Sequence, residues 1–223
     1  MRLIGPLQGF AAFTEKEEEY QPETGTVQSD LIPFIANRYN FQSFPVLSPG
    51  TMPQPVLPFA GGKFVGEGQP FAIGQLLMTQ NADVVVTVTT EQAELVLLDL
   101  VKALDENFGF RLGEASKRQL LLSNVVVEFD KGLEEYIGKL SQISDIINNL
   151  GAEMPAFNIK RLAFGAGDIL VPANDPVAVM QHADFLIERR QGSPYEANRY
   201  FCSAPMHTRD LIRALERIET IFS

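Results

Sequence analysis

Hydrophobic residues in the last two-thirds of the chain switch three times from a strand-like run to the 3.6-residue spacing of a helix. Each switch falls at a polar residue and predicts a strand followed by a helix. The predicted strands are residues 83–88, 124–129 and 199–203, and the helices after them are residues 90–108, 131–150 and 208–222. This order is typical of a layer of helices packed on a sheet.

Two of these strands follow another apolar run, and each pair predicts a β-hairpin. Residues 71–78 pair with the strand at 83–88, and residues 184–188 pair with the strand at 199–203. A further strand is predicted at 158–164. Because hairpins join antiparallel strands, we predict an α+β fold with a twisted, mostly antiparallel or mixed sheet and about three helices packed on it. The two hairpin–helix segments share too few identical residues to indicate a duplication.

The first predicted helix is apolar over a wider arc than one buried face requires. Its main stripe consists of Ala93, Val96, Leu97, Leu100, Val101, Leu104 and Phe108. Thr89, with Gln92 three residues later, predicts a capping box at the start of the helix, and Gly109 predicts its end. Leu95 and Leu98 lie off the main stripe, so we expect them to contact either the N-terminal segment or a second subunit.

The composition changes near residue 60, which predicts an N-terminal arm at residues 1–58 and an α+β body at residues 59–223. Five prolines between residues 45 and 58 exclude a helix there and favour extended backbone. Extended in this way, residues 44–58 reach about 45 Å, slightly more than the body diameter of about 40 Å. We therefore expect the arm to dock on its own body or on a neighbouring subunit, with residues 31–35 and 41–44 as short edge strands or apolar plugs.

Charge and composition limit the partners. The chain has 18 Lys and Arg against 28 Asp and Glu, a net charge of −10 that disfavours nucleic acid. No apolar run approaches the roughly 18 residues of a membrane-spanning helix. The first ten residues are interrupted by Gly5 and Pro6, which makes a poor signal peptide, and the single Cys202 is typical of a reducing compartment. We expect a cytoplasmic protein, or one in a particle assembled in the cytoplasm.

Four kinds of residue group have the types needed for chemistry, and each has a simpler structural interpretation. His182 and Asp184 could ligate a metal with His207, but they also form a polar strand entry. Cys202, His207 and Asp210 could form a nucleophile, base and orienting acid. Yet a cysteine in an apolar strand is usually a small buried hydrophobe, and polar residues at a helix start usually cap it.

The glycine-rich segments 61–63 and 165–167 could bind phosphate, but neither contains a P-loop signature, and both are more simply turns. The adjacent acids Glu134 with Glu135, and Asp105 with Glu106, point in different directions from their helices and predict solvated surfaces. We therefore predict no catalytic residue, no cofactor and no metal site.

A basic stripe on the last helix is the best candidate for a binding site. Arg209, Arg213 and Arg217 recur at every fourth residue, on an otherwise acidic protein. They are either a solvated face, partly neutralised by Asp210 and Glu216, or a site for an acidic partner. One such partner is the acidic run of a neighbouring arm, formed by Glu15, Glu17, Glu18 and Glu19.

These patterns predict a non-enzymatic structural or protein-interaction subunit that assembles through its N-terminal arm, in a phage-like or other multiprotein assembly. Two alternatives stay open. A small-molecule-binding or enzyme domain would have a cleft in which Arg189, Arg190 and Arg199 meet carboxylates of perturbed pKa. An acidic inhibitor or immunity protein would be a stable monomer with one contiguous acidic patch.

Overall fold

The computed structural model describes residues 1–14, 28–47, 54–66, 68–79, 82–110, 119–133, 180 and 185–222. Within these ranges the strands are β1 (Arg2–Thr14), β2 (Val56–Phe64), β3 (Phe71–Thr79), β4 (Ala82–Thr87), β5 (Gln119–Glu128), β6 (Leu186–Arg189) and β7 (Arg199–Ala204). The helices are α1 (Gln28–Arg38), α2 (Thr90–Phe108) and α3 (Thr208–Phe222), and a 3-10 turn spans Tyr195–Ala197.

The seven strands form one antiparallel sheet in the order β2-β3-β4-β1-β5-β7-β6. The predicted α+β class is therefore confirmed, as are the β3–β4 and β6–β7 hairpins. Helix α2 begins after Thr89, whose hydroxyl accepts the Gln92 N–H, and ends at Gly109 with a φ of 68°. The predicted helix at 131–150, apart from its first three residues, and the predicted strand at 158–164 lie outside the described residues.

The expected N-terminal arm is not confirmed. Strand β1 lies in the middle of the sheet, where it pairs with β4 on one side and β5 on the other. Gly5 and Pro6 fall where the β1–β5 register shifts. Such irregularities accommodate residues that interrupt a regular ladder. Strand β2 also crosses the boundary expected between residues 58 and 59.

Residues 31–35, expected to form an edge strand or plug, instead belong to helix α1. Leu31, Ile32, Ile35 and Ala36 are buried at the spacing of one helical face. Pro33 lies on the exposed side, so burial of the opposite face offsets the intrahelical hydrogen bond that proline cannot donate. In the neighbouring segment 41–44, the expected strand pairing is limited to one bridge between Ser43 and Ala60.

The helices pack on one face of the sheet and bury two apolar clusters. The larger cluster joins α1 and α2 to β1–β4, and the second joins α3 to β5 and β7. On the opposite face, Ala12 and Val84 pack against Met180. None of the described helices is both long enough and apolar enough to cross a membrane.

The two halves of the sheet repeat one arrangement. On either side of the central β1–β5 pair comes a hairpin, β4 then β3 on one side and β7 then β6 on the other. Each hairpin leads into a helix, α2 or α3. The hairpins are preceded by two segments of nearly equal length, residues 15–70 and 129–185. Because β1 and β5 are antiparallel, an approximate twofold axis perpendicular to the sheet relates the halves.

The axis passes near the pair formed by Gly9 of β1 and Ser123 of β5. A Cβ atom on Gly9 would lie 2.1 Å from backbone atoms of Thr89 and Thr90, so only glycine permits α2 to start this close to the sheet. At Gly5, on the same strand, a Cβ would meet nothing within 4 Å. The start of α2 is thus set by one glycine at the centre of the sheet.

Candidate protein-interaction surface

The first residues of α2 and α3 cap each other at the centre of the sheet. The Thr90 backbone N–H donates to the Thr208 hydroxyl oxygen at 3.1 Å, and the Thr208 backbone N–H donates to the Thr90 hydroxyl oxygen at 2.8 Å. The Ser123 hydroxyl lies 3.1 Å from that of Thr208. Each threonine satisfies an N–H group that the start of the other helix leaves without an intrahelical partner. All three residues are buried, so this contact fixes the start of α2 against the start of α3.

Helix α3 borders a groove of about 470 Å³ with apolar walls and a charged rim. We call this the α3 groove; its residues are Phe185, Asp210, Arg213, Ala214, Arg217 and Ile218. Phe185 is 40% exposed, although it lies beside a helix. The groove therefore offers apolar surface and positive charge to the same ligand.

The predicted basic stripe lies on the exposed side of α3. The Asp210 carboxylate is 3.6 Å from the Arg213 guanidinium and 3.9 Å from that of Arg209. Arg217 makes no ion pair with the residues that the structure describes. The structure brings Arg213 and Arg217 together at the groove and leaves Arg209 beside the start of the helix. Both interpretations of the stripe, solvated face or binding site, stay open.

Helix α2 presents an exposed apolar pair, Leu95 and Leu98, which we call the α2 ridge. These side chains are 52% and 45% exposed, although both leucines lie in the middle of the helix. The charged residues of α2 are five carboxylates and one lysine, Lys102. The α2 ridge is therefore apolar surface in acidic surroundings, whereas the α3 groove is apolar surface in basic surroundings.

A second depression, of about 220 Å³, lies between α1 and α2 and is polar. The Asp99 carboxylate accepts hydrogen bonds from Nε and the terminal nitrogen of Arg38, at 2.8 and 2.7 Å, and from the Tyr39 hydroxyl at 2.8 Å. Burial raises the pKa of Asp99, but these hydrogen bonds outweigh burial and leave the pKa below its ordinary value. These hydrogen bonds hold α1 against α2 and engage both oxygens of the Asp99 carboxylate.

The residues considered for nucleophilic catalysis are not arranged for it. Cys202 is fully buried, and burial raises the pKa of its thiol to about 12. No hydrogen bond joins Cys202, His207 and Asp210 side chains in the described part of the chain. His207 instead caps α3 through its carbonyl oxygen, which accepts the Asp210 and Leu211 N–H groups.

The other chemical candidates are explained by packing or fall outside the described residues. Gly61 and Gly62 lie in β2, where a Cβ on Gly62 would come within 2.5 Å of the Phe41 ring. No group of three or more His, Cys, Asp or Glu side chains in the described ranges could hold a metal ion. The candidates outside those ranges are Glu15, Glu17, Glu18, Glu19, Glu134, Glu135, residues 165–167, His182 and Asp184.

Two of the three arginines expected to line a ligand cleft, Arg189 and Arg199, have partners within the protein instead, and the third, Arg190, is exposed. The Arg189 guanidinium lies 3.7 Å from the centre of the Tyr195 ring and donates to the Tyr200 hydroxyl. Arg199 donates to Glu128 at 3.0 Å, and this bond, with one from Arg2, lowers the pKa of Glu128. The α3 groove and the depression at Asp99 are lined by other residues.

Neither Phe185 nor the paired threonines were predicted as site residues from the sequence. Phe185 was included in a predicted strand, and its place beside α3 depends on a hairpin that folds back toward a helix later in the chain. The Thr90–Thr208 contact joins residues 118 positions apart. Polar residues at both helix starts were a signal for caps, but no local pattern indicates that the caps meet.

No family model, curated protein or solved structure matches this chain. The fold and the surface together describe an α+β protein of two similar halves. In the part of the chain that the structure describes, the helix layer exposes an apolar ridge among acidic residues and an apolar groove among basic ones.

Proposed function

We propose that this protein is a non-enzymatic structural or interaction subunit that acts through protein–protein contacts, with copies of itself or within a larger assembly. The observation that supports this function is the pairing of exposed apolar side chains with charge on the helix layer. Leu95 and Leu98 on α2, and Phe185 beside α3, are each at least 40% exposed. Apolar surface rimmed by charged residues is typical of protein interaction sites.

The contact surface belongs to the folded body rather than to an arm. Because β1 is the central strand, removing residues 1–58 would take out the middle of the sheet as well as α1. A truncation of this kind would test folding instead of assembly. Point substitutions on the helix layer are the better experiment.

The test is the absolute mass in solution, measured by light scattering over a wide range of protein concentration. We expect the intact chain to exceed the 24.7 kDa of one copy as its concentration rises. The double variant Leu95→Ala with Leu98→Ala should require higher concentrations to do so. A matched control is Val46→Ala with Val56→Ala, which shortens two exposed apolar side chains that do not belong to α2 or α3 and should leave association unchanged.

The opposite outcome is also informative. A chain that is folded and monomeric at every concentration would contradict self-association. If its melting temperature also rose with small carboxylates or phosphates, a ligand-binding domain would become the better interpretation, since a ligand that binds only the folded state stabilises it.

A further inference from the structure

We propose that two copies of this chain pair through their helix layers, with the α2 ridge of each copy seated in the α3 groove of the other. The pairing is a specific form of the self-association proposed above and rests on it. The occupant of the groove is then a second copy of this chain, and the residues that meet are the Leu95–Leu98 ridge and the groove beside Phe185.

Charge complementarity between the α2 ridge and the α3 groove favours this occupant. Helices α2 and α3 start at equivalent residues, Thr90 and Thr208, on either side of the approximate twofold axis. Counting from these starts, the equivalent pairs are Glu91 with Arg209, Leu95 with Arg213, and Asp99 with Arg217. Helix α2 carries five carboxylates and one lysine, whereas the α3 groove carries two arginines and one aspartate. This difference favours contact between the α2 ridge of one copy and the α3 groove of another, because two grooves would place arginines against arginines.

The apolar surfaces are also complementary. The groove has space for more than one aliphatic side chain between Phe185, Ala214 and Ile218. The two leucines of the ridge project from one side of α2, three residues apart. Transfer of half-exposed leucines into an apolar groove removes their remaining surface from water, which is the main driving force of association.

The twofold relation between the halves allows both contacts to form at once. A dimer axis in the plane of the helix layers places α2 of the first copy over α3 of the second, and α3 of the first over α2 of the second. The ridge–groove contact is then made twice and the assembly closes as a dimer. A single such contact, repeated head to tail, would continue into larger oligomers.

Two charge-reversal variants test the pairing. The groove variant is Arg213→Glu with Arg217→Glu, and the ridge variant is Glu94→Lys with Glu106→Lys. In a dimer of either variant with itself, like charges face each other in both contacts. We therefore expect the dissociation constant of the dimer to rise at least about tenfold. An equimolar mixture should restore dimerisation, because a mixed dimer has one reversed and one native contact, both complementary.

The control reverses two exposed positive charges near the edges of the sheet, Lys63→Glu with Arg190→Glu. It changes the net charge by as much as the groove variant but should leave the dissociation constant unchanged. Circular dichroism of each variant shows that the fold is intact. Light scattering or sedimentation of the single variants, the mixture and the control then measures association.

The outcomes separate this pairing from the proposed function. If the chain associates but neither charge reversal weakens it, or the mixture fails to recover, the ridge–groove pairing is wrong while self-association stands. If replacing Glu15, Glu17, Glu18 and Glu19 with glutamine weakens association and the ridge variant does not, the groove binds that acidic run instead. A chain that never associates overturns both.

Discussion

Replacing Thr208 with valine tests whether the contact between the two helix starts holds the helix layer together. Valine has nearly the shape of threonine but lacks the hydroxyl. That hydroxyl accepts the Thr90 N–H at 3.1 Å and lies 3.2 Å from the Thr90 hydroxyl and 3.1 Å from that of Ser123. The substitution therefore removes polar interactions without opening a cavity.

The expected loss of stability follows from the Thr90 N–H group, which loses its hydrogen-bond acceptor when Thr208 becomes valine. Losing a side-chain cap at a helix start costs about 1 kcal/mol, and a buried polar group without a partner costs about 1–3 kcal/mol. The two costs overlap, because the orphaned group is the capped Thr90 N–H, so we expect a loss of about 2–3 kcal/mol in the free energy of unfolding. For a chain of this length the melting temperature should fall by about 4–12 °C.

Urea unfolding, followed by circular dichroism, measures the loss from the shift in midpoint at constant slope. Adding Thr90→Val completes a double-mutant cycle, in which we expect a coupling of about 1 kcal/mol because the two hydroxyls act as a pair. Thr220→Val is the matched control on the same helix, since its hydroxyl donates to the Glu216 carbonyl oxygen at the surface. A loss at Thr208 no larger than at Thr220, or no coupling with Thr90, would refute the reasoning.

Three further outcomes follow from described contacts. Gly9→Ala should cost about 3 kcal/mol or more in unfolding free energy, because the new Cβ meets the start of α2, whereas Gly5→Ala should be close to neutral. Asp99→Asn should cost about 1–2 kcal/mol at neutral pH, since it weakens the partly exposed pair with Arg38. Because the folded-state pKa of Asp99 is lowered, this difference should be complete above its ordinary value of 3.8 and disappear as the pH falls through the lower folded-state pKa. Cys202 should react with thiol reagents only as the protein unfolds, since it is buried and its pKa is raised to about 12.

Each of these outcomes has a result that contradicts it. Equal midpoints for the two glycine variants would mean that α2 does not approach β1 as described. A difference in stability between the unchanged chain and the Asp99→Asn variant that persists at low pH would exclude the carboxylate charge as its cause. Thiol modification at the same rate in folded and urea-denatured protein would place Cys202 at the surface.

The local elements of this protein could be predicted from its sequence. Hydrophobic periodicity is a property of short segments, and it located α2, α3 and both hairpins before any contact was known. The caps of α2 at Thr89 and Gly109 were also readable, because capping depends on a few adjacent residues. Helix α1 was missed because Pro33 hides a helical pattern that is otherwise regular.

Only the tertiary structure decided how these elements are arranged. The composition of residues 1–58 suggested an arm, yet β1 became the central strand through pairing with residues more than a hundred positions away in β5. The approximate twofold axis, the Thr90–Thr208 contact and the groove beside Phe185 likewise join distant parts of the chain. The physical reason is that periodicity and capping record a residue's immediate neighbours, whereas strand order and surface shape depend on which distant segments bury each other's apolar faces.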